Sequence, residues 1–330
     1  MDRFGSPDTY AVWTKDPEVR FESTSGGAFT EFAKFILSQG GVVIGAAYNS
    51  KNTVDHVAID RIEDLSKIRQ SKYISSSLGS IYKQTRDYLK QGRLVGFCGA
   101  PCQIAGLYSF LNKEYENLFT MDFICRGMNS PKALVSWLKE IEEQENKKVK
   151  KVWFKYKVGG WKTSPRRTRL DFDDGSFKVY SAEQNLFMHA YLNSNLYIRP
   201  SCCNCRFKGV PRDSDVTFAD FWGIEKKYDD DRGTSLLLVN SIKGQQYFKK
   251  IKDNFNVYPK SFDSIVKGNP MFFGSAKIPG DAHNFLKDLD VMSFSSALKK
   301  YGGYPVEISL ARRILRKIKR IVLKLLYFLT

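Results

Sequence analysis

The stretch "RLVGFCGAPCQIAGLYSFL" (93–111) joins a short apolar run, a tight Gly-Ala-Pro loop and an apolar helical pattern. Residues 93–97 read as a buried strand. Pro101 suits the first turn of a helix, because its ring already holds the backbone angle a helix needs. Strand, loop and helix in direct succession form the repeating unit of a parallel α/β sheet. The same texture extends on both sides. "SGGAFTEFAKFILSQGG" (25–41) reads as a glycine turn and an amphipathic helix with Phe29, Phe32, Phe35 and Ile36 on one face, and "GVVIGAAY" (41–48) and "VDHVAID" (54–60) read as strands. "SSLGSIYKQTRDYLKQG" (76–92) has helical spacing up to Gly92. "LFTMDFI" (118–124) is a further strand, and "SPKALVSWLKEIEEQ" (130–144) opens with a Ser cap and a first-turn Pro.

Beyond residue 145 the texture changes. "RTRLDFDDGSFKVYS" (167–181) carries Asp-Gly between alternating runs, the signature of a hairpin. The expected fold is α/β, a mostly parallel sheet core with an antiparallel hairpin insertion and a C-terminal amphipathic helix. The expected organisation is an N-terminal α/β module over 1–95, a second module with the cysteines over 96–260, a helical or irregular extension over 261–308, and a basic amphipathic tail over 309–330.

The 330 residues carry a formal charge of +17 with 42% apolar residues and 14% aromatics, which excludes wholesale disorder. The terminal "ARRILRKIKRIVLKLLYFLT" contains no acid and supplies much of that charge, so the basicity is partly a property of the tail. Within it Arg312, Arg316, Arg320 and Lys324 share one helical face, with Ile314, Ile318, Ile321, Leu325 and Leu329 opposite. So many cations argue against spanning a bilayer. An interfacial helix over 311–330 on an anionic membrane surface is expected, with no nucleic-acid partner. The N-terminus has no basic run ahead of an apolar segment, so a cytoplasmic location on the inner face of the membrane is expected.

Six cysteines then have to be explained in a reducing compartment. Cys98 and Cys102 flank the Gly-Ala-Pro loop, Cys125 follows the next strand, and "RPSCCNCRFKG" (199–209) holds Cys202, Cys203 and Cys205. Strand ends are where open α/β sheets build their sites. Thiolates gathered from several loops suit zinc or an iron–sulfur cluster; buried thiols and a redox dithiol are the other readings. His56, His189 and His283 all lie away from the cysteines in sequence, which disfavours mixed His/Cys coordination.

Taken together, "STSGGAFTEFAKFILSQGGVVIGAAY", "SKYISSSLGSIYKQTRDYLKQGRLVGFCGAPCQIAGLYSFL", "DFICRGMNSPKALVSWL", "GGWKTS", "RPSCCNCRFKG" and "SDVTFADFWGIEKKYDDDRGTSLLLVN" resemble the coenzyme F420 hydrogenase/dehydrogenase beta-subunit family, in its bacterial branch associated with polysaccharide biosynthesis. The resemblance implies an oxidoreductase with a 4Fe–4S cluster and FAD, exchanging electrons with the deazaflavin coenzyme F420, with a nicotinamide or reduced ferredoxin as alternative donors. It assigns Cys102, Cys125, Cys202 and Cys205 as cluster ligands and leaves Cys98 and Cys203 outside. Arg126 stands where the family often has a histidine. Ser25, Gly26, Gly27, Lys72 and Ser76 are expected beside the flavin, on the 1–95 side, and Asp220 in "DFWG" is expected to orient a cofactor. Lys162 and Arg166 after "GGW" are candidates to hold an acidic or phosphorylated partner, a solvated basic hairpin being the other reading. Family members often begin with a ferredoxin-like domain, whereas no cysteine precedes Cys98 here, so a separate ferredoxin is the expected electron-donor protein. The alternative is a zinc-stabilised or metal-free accessory protein of a glycan-assembly complex.

Overall fold

The computed structural model describes residues 3–162 and 167–305; Arg166 and the tail helix over 311–330 lie outside the described residues. The strands are β1 (Arg3–Thr14), β2 (Val42–Tyr48), β3 (Val54–Ile59), β4 (Ser76–Ser77), β5 (Val95–Cys98), β6 (Leu118–Phe123), β7 (Val149–Phe154), β8 (Thr168–Phe172), β9 (Phe177–Tyr180), β10 (Val216–Asp220), β11 (Ser235–Ser241) and β12 (Phe255–Lys260). The helices are α1 (Pro17–Glu22), α2 (Ala28–Ser38), α3 (Leu65–Ile68), α4 (Ile81–Lys90), α5 (Pro101–Leu111), α6 (Pro131–Glu145), α7 (Leu186–Asn193), α8 (Ile242–Ile251), α9 (Ser264–Gly268), α10 (Ala282–Asp288) and α11 (Phe294–Lys300).

The large sheet runs β12-β1-β11-β10-β6-β5-β2-β3-β4. Its middle, β10-β6-β5-β2, is parallel throughout. Antiparallel strands flank that block, β11, β1 and β12 on one side and β3 on the other. The expected hairpin forms as β8 and β9, with β7 completing a separate antiparallel sheet. The fold is α/β, as the sequence predicts.

The sheet is covered on both faces, which is why its central strands are apolar on both sides. From α2, Phe32 and Ile36 pack with Phe119 of β6 and Phe248 of α8. On the other face Ile81, Ile104 and Leu107 of α4 and α5 pack on Ile44 and Phe97. A further core, centred on Trp137, Phe154, Phe187 and Tyr197, joins the small sheet to α6 and α7.

The segment over 76–92 differs from expectation. Ser76 and Ser77 pair with β3 instead, and the helix begins only at Ile81. Gly79 between them has a φ of +44°, which interrupts any helix. Among the described residues no helix is long and apolar enough to cross a membrane.

Candidate functional site

Because β2, β5, β6 and β10 are parallel, their C-terminal ends share one edge of the sheet. A cavity of about 660 Å³ opens there, walled by Gly45 and Ala46 of β2, Cys98 and Gly99 at the end of β5, Phe123–Met128 from the end of β6 onward and Phe218–Asp220 of β10. Its position matches the ligand crevice of open α/β sheets, and its size falls in the range of about 300–1,000 Å³ typical of small-molecule sites.

The loop before α2 closes one side. The Thr14 amide donates to the Gly26 carbonyl (2.8 Å), the Gly26 amide to Ser235 Oγ (2.9 Å) and the Ser25 hydroxyl to the Thr234 carbonyl (2.7 Å). Gly27 starts α2 with a φ of +89°. The first turn of α2, whose amides have no intrahelical acceptor, borders the cavity. Ser25, Gly27, Lys72, Ser76 and Asp220 all line it. Gly26 is not in the lining: a Cβ there would lie 2.4 Å from the Val12 carbonyl oxygen, so this glycine lets the loop press against β1.

Four cations border the cavity, and two are neutralised: Arg69 pairs with Glu22, and Lys155 with Asp220. Asp220 thus holds Lys155, whose ammonium lies 4.6 Å over the ring of Trp222. Trp222 in turn stacks on Trp161 at 4.5 Å, and Trp161 Nε1 donates to the Thr24 carbonyl (2.8 Å). Lys72 and Arg126 have no carboxylate partner among the described residues. The Lys72 ammonium donates to the carbonyls of Arg69 (2.6 Å) and Gln70 (3.1 Å). Burial pulls its pKa down to about 7 against the nearby Cys98. His56 donates from Nε2 to the Cys98 carbonyl (3.1 Å), and burial pulls it down to about 4, so it stays neutral. Lys162 is held by Asp229 (2.9 Å) instead of facing the cavity.

Next to this cavity is a small niche of about 30 Å³ lined by Cys102, Cys125, Cys202 and Cys205. The four thiols arrive from three pieces of local structure. Cys102 sits in the first turn of α5, Cys125 follows β6, and Cys202 and Cys205 lie in and just after the turn Pro200–Asn204. Backbone lacing brings the last two groups together: Arg199 N–H donates to the Met128 carbonyl (2.8 Å), Ser130 N–H to the Tyr197 carbonyl (2.8 Å), and Asn129 bridges Ile198. Gly127, at a φ of +145°, is pressed against Ile198, where a Cβ would lie 2.9 Å from its methyl. Arg126 completes the joint from the C-terminal end of α7. It donates to the carbonyls of Tyr191 (2.8 Å) and Leu192 (3.1 Å) and to Asn195 Oδ1 (2.6 Å). A cation there also complements the negative end of the helix.

The niche offers sulfur and nothing else as a ligand, since its lining holds no histidine and no carboxylate. Among the described residues no three such side chains converge on one ion-sized point; the cavity is what the four thiols share. The Met128 amide donates to Cys202 Sγ (3.5 Å), and the Lys208 ammonium reaches the carbonyls of Cys125 and Met271 (2.5 and 2.8 Å). Burial pushes the Cys125 thiol up to about 12 and raises that of Cys102, while Lys208 opposes the rise at Cys125. An all-sulfur set ringed by Arg126, Lys208 and Arg212 fits a group that binds thiolates.

The remaining thiols fall elsewhere. Cys98 borders the large cavity, and burial pushes it up to about 12; Cys203 is exposed and donates to the Pro200 carbonyl (2.8 Å). The two chambers share a wall: Cys125, Arg126, Gly127, Met128 and Met271 line both. Sequence reasoning did not find Lys155, Lys208 or Met271. Lys208 had a signal, its place inside the cysteine motif, whereas nothing in the sequence marks Lys155 or Met271.

Fold and site together define an α/β protein with a ligand cavity at the strand ends and a four-thiol niche behind it. Residues 9–83 match the N-terminal model, and residues 92–264 the C-terminal model, of the family described as coenzyme F420 hydrogenase/dehydrogenase, beta subunit. The chain belongs to this family. It is 23% identical over 268 residues to the F420-dependent formate dehydrogenase 1 subunit beta of Methanococcus maripaludis, covering 78% of this chain and 62% of that relative's length. A chain in the structure of the xenon-derivatised F420-reducing NiFe hydrogenase complex of Methanosarcina barkeri shares the fold, with a TM-score of 0.54, 17% identity and coverage of 89% of this chain and 92% of that one.

Proposed function

We propose that this protein is a flavin- and iron–sulfur-dependent oxidoreductase that relays electrons between a ligand in the large cavity and a 4Fe–4S cluster held by Cys102, Cys125, Cys202 and Cys205. The observation that carries the reading is the wall common to both chambers, built on Cys125–Met128 and Met271. A group in the cavity and one in the niche would meet across a single layer of side chains. When bound, a flavin and a cluster supply two-electron and one-electron exchange respectively; the protein sets their distance, orientation and potential.

The cavity residues suit FAD. Lys72 and Arg126 supply positive charge without a carboxylate partner among the described residues, and the first turn of α2 adds free amides, so an anionic, phosphate-bearing ligand is favoured. Ser25, Gly27 and Lys72 are the contacts proposed for the phosphates, Ser76 and Asp220 for the rest of the ligand, and Gly26 supports the loop from behind. Coenzyme F420, whose name the relatives carry, is the proposed exchange partner, with ferredoxin or a nicotinamide as alternative donors.

The resemblance to the polysaccharide-associated branch supports a role in polysaccharide or cell-surface glycan assembly. The basic stripe over 311–330 supports a peripheral position on the inner face of the membrane. In this reading the chain divides into sequence modules over 1–95, 96–260, 261–308 and 309–330, although the strands of the first two interleave in one sheet. Anaerobically purified protein is expected to contain about four irons, about four sulfides and one flavin per chain. Stoichiometric zinc, or a colourless protein, would overturn the proposal in favour of an accessory role.

A further inference from the structure

The thiol niche and its rim are rich in cations. Four segments build the niche and its rim: 98–112, 123–130, 199–212 and 269–280. They contain Arg126, Arg199, Arg206, Lys208, Arg212 and Lys277, and not one aspartate or glutamate. Arg126, Lys208 and Arg212 turn inward and line the niche. Arg199, Arg206 and Lys277 are exposed, and no carboxylate pairs with them among the described residues.

These residues share one face because their segments run side by side. The Gly209 amide donates to the Phe272 carbonyl (2.8 Å), the Cys205 amide to Ser275 Oγ (3.3 Å) and Asn195 Nδ2 to the Lys277 carbonyl (2.7 Å). Arg199 directly precedes the turn Pro200–Asn204 that carries Cys202. Two large apolar side chains, Phe207 and Phe273, are exposed on the same strip, at 37% and 47%. Cys203 is exposed between Arg199 and Arg206. Exposed aromatics beside unpaired cations have the make-up of a transient protein interface, which combines apolar contact with charged steering groups.

We infer that this strip is the docking surface for an acidic one-electron carrier protein, with Arg199, Arg206 and Lys277 as the steering charges and Phe207 and Phe273 as the apolar contact. The inference rests on the cluster reading above. It adds where the partner sits and what charge it bears. Electron exchange falls steeply with distance, and this strip carries the turn that holds Cys202, with Cys205 just after it. The reaction balances as one electron lost by the carrier and one gained by the cluster, with no bond formed or broken. A nucleic acid would satisfy the cations equally well, but it gives no reason for them to lie on the segments that carry the four thiols.

The test uses the full, anaerobically purified protein and an acidic 2Fe–2S ferredoxin as probe, with binding read by calorimetry at low and high salt. Affinity should fall steeply as salt rises. The doubly reversed variant Arg199→Glu/Arg206→Glu should bind at least about tenfold more weakly, and Arg199→Lys/Arg206→Lys should bind close to wild type. Iron content of the same preparations separates the interface from the cluster beneath it. Full iron with no ferredoxin binding, or with binding indifferent to charge reversal, overturns the interface alone. Protein without iron overturns the cluster reading and the interface with it. Single-stranded RNA or anionic vesicles losing affinity in the reversed variant, while ferredoxin fails to bind, overturns the choice of partner.

Discussion

Cys205→Ser is expected to abolish cluster assembly, reducing iron and sulfide from about four per chain to background, whereas Cys203→Ser leaves both unchanged. The two residues are near neighbours in one motif, and composition gives no ground to separate them. Their positions do. Cys205 lines the niche with Cys102, Cys125 and Cys202; Cys203 is exposed on the outside of the same turn, its thiol spent on the Pro200 carbonyl. A serine hydroxyl is a far poorer ligand for this soft site than a thiolate. Loss of one of four ligands therefore costs the whole group, while loss of Cys203 costs a surface hydrogen bond. Iron retention in Cys205→Ser together with loss in Cys203→Ser would sink the ligand assignment. Circular dichroism on both variants separates ligand loss from misfolding.

The second large effect concerns stability. Arg212 and Asp122 form an ion pair at 2.9 Å with side chains only 3% and 1% exposed. Thr217 Oγ1 donates to the other carboxylate oxygen (2.6 Å). Arg212→Met would strand Asp122 as a buried charge, and losses of this kind cost about 3–5 kcal/mol. The pH dependence identifies the cause. Burial raises the Asp122 pKa above its ordinary value, and Arg212 is the largest influence holding it down. A carboxyl whose folded pKa is raised contributes its full stability below the unfolded pKa and loses it as pH rises through the folded one. Removing Arg212 raises the folded pKa further, so the deficit should widen from pH 5 to pH 8 and narrow in acid. Denaturant melts at the two pH values decide: an equal deficit at both would show that only packing over Phe272 was lost.

The alternating core was legible because β2, β3, β5 and β6 and the helices α2, α4, α5 and α6 each carry a local signal, whereas the short α3 and the two-residue β4 do not. The outer strands β1 and β12 were not. β1 begins with "RFGSPD", a run of turn formers, and its register shifts between Arg3 and Asp8 before it settles against β11. β12 contains Pro259, which only an edge strand tolerates, and β12 is the edge. Both strands exist because of their long-range partner, which local pattern does not encode. The site divides the same way. The four cysteines came from ordered motif blocks, yet spacing alone left zinc, redox dithiols and buried thiols open. What brings Cys125 to Cys202 is Gly127 against Ile198 and Arg126 on the end of α7, contacts between segments far apart in sequence. The structure also places Trp222 in the cavity wall, stacked on Trp161 with the Lys155 ammonium close to both rings.

The central claim is that the two chambers work as one unit through the wall at Cys125–Met128. Flash reduction of the flavin in anaerobic protein, followed by the absorbance of the cluster, tests it directly. The account predicts that cluster reduction follows flavin oxidation at a rate independent of protein concentration, as transfer within one molecule requires. A rate proportional to protein concentration, with electrons passing only between molecules, would contradict it.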